Sequence, residues 1–289
     1  MWFQKIKTAM LLAGLSALLL LIGHLIGGYA GLQLALIMAL LMNGIAYFFS
    51  DKIVLSMYGA RALDRQEYGW IYETVEELAH TMNLPMPKLW LIKTPMANAF
   101  ATGRDPEHAS VAVTTGILSI LDRDELRGVL AHELSHIKNR DILVSTIAAT
   151  IATAIGYLAH MLQYAAFWGS MDNNRRREGN PIVMFLVALL MPLAATLIQL
   201  AVSRSREYLA DETGAHSCRD PLALASALEK LHNHIPSAHL HADDMSKAST
   251  ASLFIVHPFN SDGMIALFST HPPMRARIAR LHKLHEKMF

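Results

Sequence analysis

A single five-residue motif constrains this chain more than any other feature of its sequence. Positions 132–136 read His-Glu-Leu-Ser-His, the H-E-x-x-H pattern. On an α-helix, residues four apart lie one above the other, so His132 and His136 can turn an imidazole nitrogen toward one metal ion. Glu133 lies about 100° around the helix, where it can reach a water molecule without being a ligand. The motif predicts a helix that presents two metal ligands and a general base.

The sequence around the motif favours a helix of this kind. Asp122 and Glu125 form a capping-box pattern, which predicts a helix start at this point. Apolar residues then recur at helical spacing and predict a core-facing side, namely Leu126, Leu130, Leu134 and Ile137. The alternative is that both histidines are ordinary core residues. A protein core rarely holds two imidazoles beside a carboxylate, so the metal-binding interpretation is favoured.

The composition limits both the class of protein and the kind of metal site. The 289 residues are 53% hydrophobic and 17% charged, which is poor in charge for a soluble protein. A net charge of +1 gives no indication of a nucleic-acid partner, and we expect none. Cys218 is the only cysteine, which excludes an internal disulfide and a cysteine-based zinc site. The ligands must therefore be histidines and carboxylates.

Two apolar runs near the start of the chain predict a membrane hairpin. Residues 9–27 and 31–49 are each long enough to cross a bilayer, and Gly28, Tyr29 and Ala30 between them carry no charge. A cleavable signal peptide is the alternative for the first run. Its apolar core is long and a second run follows at once, so a membrane anchor is favoured. Basic residues flank the pair on both sides and predict cytoplasmic ends: Lys5, Lys7, Lys52, Arg61 and Arg65.

Two further apolar runs, residues 142–171 and 181–202, follow the metal-binding motif. The loop between them contains Arg175, Arg176 and Arg177, which a spanning hairpin would place outside, against the positive-inside rule. A re-entrant or interfacial hairpin therefore remains an alternative. His136 lies six residues before the first run and Glu207 five residues after the second. A spanning pair of helices would lift these side chains to similar heights, about 9 and 7.5 Å above the membrane.

The remaining secondary structure predicts a mainly helical α+β protein. Strand-like runs occupy residues 88–93 and 110–115, and residues 98–103 between them predict a short edge strand beside the cleft. In that interpretation, Asn98 and Ala99 align an extended substrate peptide; the alternative is an ordinary strand and turn. A second capping-box pattern at residues 64–67 predicts a helix that ends near Asn83. Asp220 and Pro221 predict the start of another helix, which ends near His232.

A catalytic zinc site usually has three protein ligands and one open position, so a third ligand is required. We predict that it is Glu207. Asp211 lies four residues on, on the same helical face, and can accept the second ring N–H of a ligand histidine. The alternative is that this face is solvated and pairs with Arg204 and Arg206. Those cations could equally hold the carboxylates of the cleft in place.

Four motifs in one order resemble the HtpX family, bacterial membrane-bound heat-shock metalloproteases. These are gluzincin-type peptidases related to the CAAX prenyl proteases. The motifs occupy residues 98–103, 131–141, 204–211 and 270–273, and the resemblance covers nearly the whole chain. It implies a zincin-like metallopeptidase domain combined with about four membrane helices. It also implies a multi-pass protein of the bacterial inner membrane with its active site facing the cytoplasm.

The resemblance also implies a function and a set of roles. Zinc would be bound by His132, His136 and Glu207, with Glu133 as the general base. His271 would lie near the cleft and could stabilise the oxyanion, a role for which Tyr208 is the alternative donor. The implied activity is endopeptidase cleavage of misfolded or damaged membrane and cytosolic proteins, as quality control in a stress response.

The predicted organisation has four parts. Residues 1–50 form an N-terminal hairpin, 51–141 the first part of the peptidase domain, 142–202 a second hairpin and 203–289 the second part. Two other function classes remain open. A zinc transporter or sensor would fit the His-rich stretch at residues 232–257, but only His24 and His160 lie inside the apolar runs. The intact Glu133 argues against an inactive scaffold.

Overall fold

A computed structural model describes residues 2–148, 150, 151, 155, 204–234 and 272–288. Its helices are α1 (Trp2–Met57), α2 (Gly69–Met82), α3 (Thr115–Ile120), α4 (Arg123–Lys138), α5 (Arg204–Cys218), α6 (Pro221–Asn233) and α7 (Met274–Met288). Its strands are β1 (Arg61–Ala62), β2 (Lys88–Ile92), β3 (Ala99–Gly103) and β4 (Ala109–Thr114), with a 3₁₀ turn at Pro106–His108. The mainly helical α+β class is therefore confirmed. His271, nearly all of the His-rich stretch and most of the two later apolar runs lie outside the described residues.

The four strands form one sheet in the order β1-β2-β4-β3. Strand β2 runs parallel to β4, whereas β3 runs antiparallel to β4. All three predicted strands are present within one residue of their predicted ends. Among the described residues, β3 has a strand neighbour on one side only, as predicted for an edge strand.

One predicted helix start is wrong. Residues 64–67 do not cap α2, which begins at Gly69 and has no side-chain cap. The Asp64 carboxylate instead accepts a hydrogen bond from the Gln66 N–H at 2.8 Å, and its carbonyl accepts from the Tyr68 N–H at 2.9 Å. The aspartate therefore stabilises a local turn, a common alternative use of this side chain. The helix ends as predicted, with Asn83 in the left-handed conformation at φ 56°.

The long helix α1 folds back on itself. The Asn43 side chain donates a hydrogen bond to the Ser16 hydroxyl at 2.8 Å, although 27 residues separate them. In a straight helix that separation would span about 40 Å. Gly28 has φ +55°, so the chain reverses in the predicted loop and the two halves are antiparallel. Within the described residues, the segment Gly28–Met57 alone is long and apolar enough to cross a membrane; four spans stay a prediction.

Helix α4 lies at the centre of the fold, against α2, α5, α6 and β3. Its predicted capping box is confirmed, because Asp122 and Glu125 exchange two backbone-to-carboxylate hydrogen bonds of 3.0 Å. The predicted apolar face is fully buried. Glu125 also accepts hydrogen bonds from Lys230 at 2.7 Å and Ser226 at 2.6 Å, which tie the start of α4 to α6.

Two glycines let neighbouring helices approach the backbone of the H-E-x-x-H helix. A Cβ at Gly128 of α4 would lie 3.0 Å from the Leu224 Cα on α6. A Cβ at Gly214 of α5 would lie 2.9 Å from the backbone nitrogen of His132. Real Cβ atoms essentially never come closer than 3.0 Å to such atoms. Helix α5 is therefore seated directly behind His132, which fixes the depth of the candidate ligand Glu207.

Candidate metal centre

The structure brings together the three residues that the sequence predicts as ligands. The Nε2 atoms of His132 and His136 lie 3.2 Å apart, and each is 3.7 Å from a carboxylate oxygen of Glu207. His132 and Glu207 are buried, whereas the His136 side chain keeps 17% of its surface exposed. The solvated-face interpretation of Glu207 and Asp211 is therefore wrong, since both are about 95% buried.

The spacing and charge of this group fit a zinc ion. Two ligand atoms, each 2.0–2.1 Å from a tetrahedral ion, lie about 3.3 Å apart, close to the separation of the two Nε2 atoms. Among the described residues, four carboxylates and two guanidinium groups contribute charge at this site: Glu133, Asp141, Glu207, Asp211, Arg206 and Arg277. With all four carboxylates ionised and both imidazoles neutral, the state that metal binding favours, their formal charge is −2, which a divalent cation would neutralise. The donor set of two imidazoles and one carboxylate is one that zinc enzymes use.

A buried chain of contacts supports His132 from behind. Its Nδ1 lies 2.9 Å from an Asp211 oxygen. Arg277, which is fully buried, donates to both oxygens of that carboxylate, at 2.8 and 2.6 Å. Burial opposes the charge on Asp211, but Arg277 outweighs this effect and holds the pKa of Asp211 well below its usual range. A carboxylate at this distance from Nδ1 favours a proton on that nitrogen, the tautomer that leaves the Nε2 lone pair for a metal ion.

His136 has a carboxylate of its own, Asp141, whose two oxygens both lie 3.2 Å from His136 Nδ1. The end of α4 places it there. Arg140 takes a left-handed conformation at φ 56°, and the Asp141 and Arg140 N–H groups return to the carbonyls of His136 and Ile137 at 3.2 and 3.1 Å. This is a Schellman motif, which turns the chain back beneath His136. Burial disfavours charge on His136, but the carboxylates of Asp141 and Glu207 raise its pKa to about 10.

Glu133 is buried beside the ligands and is separate from the group of three. Burial raises its pKa to about 8, reinforced by the Glu207 charge and opposed by His136. Its Oε2 accepts a hydrogen bond from the Ala101 N–H at 2.9 Å. A carboxylate with a pKa near neutrality can both accept and return a proton, which suits a general base.

Strand β3 forms one wall of the site, and its register decides which backbone groups face the site. The backbone of Asn98 faces β4. Its carbonyl accepts a hydrogen bond from the Thr114 N–H at 3.0 Å, and its N–H donates to the Thr114 hydroxyl at 2.9 Å. The Ala101 N–H points the other way, to Glu133. The alternation of an antiparallel ladder therefore turns the backbones of Ala99 and Ala101 away from β4.

The structure describes only one of the two predicted oxyanion donors, Tyr208. His271 lies outside the described residues. Tyr208 is half-buried, and its ring packs against the guanidinium of Arg280 at 4.2 Å. The two side chains line a surface pocket of about 310 Å³ between α5 and α7. This contact holds the Tyr208 ring toward α7.

Sequence reasoning missed three parts of the site. It gave Arg277 no role, although this arginine holds Asp211. It gave Asp141 no role of its own, although this residue follows His136 by only five positions and lies against its imidazole ring. It named Asn98 and Ala99 for substrate alignment but not Ala101, whose N–H points away from β4. A helix-ending pattern after Lys138 was the signal available for Asp141; no local signal marks Arg277.

The sequence matches the model of peptidase family M48 over residues 65–285. The chain belongs to peptidase family M48. The matched region contains all of the ligand and supporting residues described above. M48 members are metallopeptidases, and the chain is therefore a metalloprotease that acts on protein substrates.

Relatives at about 50% identity extend this match to nearly the whole chain. A protease HtpX homolog from Sulfurihydrogenibium sp. (strain YO3AOP1) is 52% identical over 99% of this chain and 97% of its own length. Another from Aquifex aeolicus (strain VF5) is 53% identical over 94% of this chain and 90% of its own length. A third from Burkholderia ambifaria (strain MC40-6) is 50% identical over 98% and 97%. The predicted resemblance to HtpX is confirmed, and this M48 chain is a membrane metalloprotease.

A solved structure supports the fold of this M48 member. The crystal structure of S. mikatae Ste24p matches with a TM-score of 0.51 at 18% sequence identity. The match covers 97% of this chain, and this chain spans 66% of the length of that one. At this level of identity the likeness concerns the fold alone.

Proposed function

We propose that the protein is an integral membrane, zinc-dependent endopeptidase that removes misfolded or damaged membrane and cytosolic proteins under stress. We further propose that it is a multi-pass protein of the bacterial inner membrane with its active site toward the cytoplasm. One observation carries the chemical part: His132, His136 and Glu207 converge, and the buried Glu133 lies beside them without joining them. The apolar hairpin and its basic flanks support the membrane part.

The proposed ligands are His132, His136 and Glu207, which together would hold one zinc ion per chain. A zinc ion held there would polarise the substrate carbonyl and lower the pKa of a bound water molecule. Asp211 and Asp141 would keep both imidazoles in the orientation that the described contacts give them. The protein would thus contribute a fixed orientation of two imidazole rings and one carboxylate.

Glu133 is the proposed general base. It is buried, so its carboxylate competes for the proton of an attacking water without screening by solvent. It then returns that proton to the departing amine nitrogen. The Ala101 N–H holds one of its oxygens, which limits the orientations of the side chain before substrate arrives.

Strand β3 is the proposed docking edge for an extended substrate. A peptide that adds to this edge would pair with the outward backbone of Ala99 and with the carbonyl of Ala101, because the Ala101 N–H is already bonded to Glu133. The backbone of Asn98 is committed to β4, so Asn98 would contribute through its side chain. His271, or else Tyr208, is the proposed donor to the oxyanion.

Cleavage assays with the purified full-length chain test this proposal. The wild type should cleave casein or an unfolded membrane protein, and a chelator should abolish cleavage until zinc is restored. Glu133→Gln should be inactive yet keep about one zinc per chain, because the carboxylate is a base and not a ligand. Loss of zinc together with activity in Glu133→Gln would show that the assigned roles are wrong.

A further inference from the structure

The two ligand histidines are supported unequally. On the His132 side, Asp211 receives two hydrogen bonds from Arg277. On the His136 side, Asp141 is equally buried, but its carboxylate receives a side-chain hydrogen bond from His136 alone among the described residues. A buried carboxylate without a cation is costly, so a counterpart of Arg277 is expected near Asp141.

Arg206 is the candidate for such a counterpart. It directly precedes Glu207 on α5, and its Nε, Nη1 and Nη2 atoms are all shielded from solvent. None of the three finds a hydrogen-bond acceptor in the described part of the chain. Arg204, two residues earlier on the same helix, is exposed. The burial of the Arg206 guanidinium is therefore specific to its place on the helix face.

Burial lowers the pKa of Arg206, and the negative charges of Asp141 and Glu207 oppose this effect and stabilise the guanidinium. These two carboxylates bracket His136, at 3.2 Å from its Nδ1 and 3.7 Å from its Nε2. Two like charges on either side of one ring repel each other in a buried site. A cation that attracts both carboxylates offsets this repulsion and keeps them on opposite sides of one imidazole ring.

We propose that Arg206 is a positioning residue for the His136 side of the metal centre, as Arg277 is for the His132 side. Its charge holds Asp141 beneath His136 Nδ1 and thereby aims His136 Nε2 at the ion. The inference rests on the proposed zinc function of His132, His136 and Glu207. It assigns Arg206 no contact with the substrate.

Zinc affinity of purified full-length variants tests the proposal. Arg206→Met should weaken zinc binding about 10–100-fold, the usual loss when a group behind a ligand is removed. Arg206→Lys keeps the charge and should recover part of that loss. Arg204→Met is the matched control, since it removes an exposed cation from the same turn of α5 and should leave the affinity within about twofold.

A mutant cycle with Asp141→Asn separates positioning from a general effect on folding. If Arg206 acts through Asp141, the double variant should lose little more affinity than the worse single variant. Cobalt-substituted Arg206→Met should also show a visible absorption spectrum different from that of the wild type, because His136 is reoriented. A defect confined to folding would leave the spectrum of the folded, cobalt-loaded fraction unchanged.

Several outcomes would overturn the assignment. These are an unchanged zinc affinity in Arg206→Met, an equal loss in Arg204→Met, or full additivity with Asp141→Asn. A raised KM with normal zinc affinity would assign Arg206 to the substrate instead. A wild-type chain that binds no zinc would overturn the proposed function as well, so the two failures are distinguishable.

Discussion

Gly214→Ala should disturb the metal centre from behind, without changing any ligand side chain. The new Cβ would lie 2.9 Å from the His132 nitrogen and 3.0 Å from the Ala131 carbonyl carbon, whereas ordinary contacts begin near 3.4 Å. Helices α4 and α5 must therefore separate by about 0.5 Å, at a cost of about 1–3 kcal/mol. Zinc sites hold their ligand distances within about 0.2 Å, so moving Glu207 by that amount strains the site. If the metal site bears this whole cost of about 1–3 kcal/mol, zinc affinity should drop about 5–150-fold.

Gly128→Ala supplies the control for this prediction. Its Cβ would meet Leu224 of α6 at 3.0 Å, so the steric conflict on α4 is similar. Helix α6 carries none of the predicted ligands, so zinc affinity should stay within about twofold of the wild-type value. The free energy of unfolding should still fall by about 1–3 kcal/mol, as in Gly214→Ala. Competition with a chromophoric chelator measures the affinity, and thermal unfolding measures the stability. Equal zinc losses in both variants, or none in Gly214→Ala, would refute the argument that α5 sets the ligand geometry.

Three other predictions follow from the same contacts. Glu207→Ala should weaken zinc binding severely, and Asp211→Ala only about 10–100-fold, as measured by metal titration; full zinc occupancy in Glu207→Ala at low free metal would point to another ligand. Arg277→Met leaves the buried Asp211 without its cation and should destabilise the metal-free protein by about 3–5 kcal/mol in denaturant unfolding; an unchanged midpoint would contradict the ion pair. A cysteine at the exposed Ser119 in a Cys218→Ser background should react with an impermeant thiol reagent only after cell lysis. Labelling in intact cells would overturn the cytoplasmic assignment.

Local sequence signals predicted the metal-binding helix well because its causes are local. The capping box at Asp122, the apolar repeat and the four-residue spacing of His132 and His136 all act within a few residues. The same reasoning failed at Asp64, where an identical pattern of residue types stabilises a turn instead. A side chain that can cap a helix can also cap a turn, and the flanking residues decide between the two.

The candidate third ligand could be predicted from the sequence, whereas the residue that supports it could not. Glu207 and Asp211 follow from spacing on a single helix, so the sequence contains their relation. Arg277 belongs to α7, 66 positions beyond Asp211. By sequence it is one of three similar arginines on that helix, yet it is fully buried while Arg275 and Arg280 are exposed. Only the packing of α7 against α5 distinguishes them.

Asp141 shows that even a near neighbour can escape prediction. It lies five residues after His136, but a regular helix would have carried it away from that imidazole. The Schellman turn brings it back, and such turns usually have glycine at the residue with positive φ. Here Arg140 takes that conformation, at φ 56°. A non-glycine residue there is held by its surroundings against a steric penalty. The contacts of Asp141 with the His136 carbonyl and Nδ1 are the observed interactions that hold it, so metal-site geometry and helix termination stabilise each other.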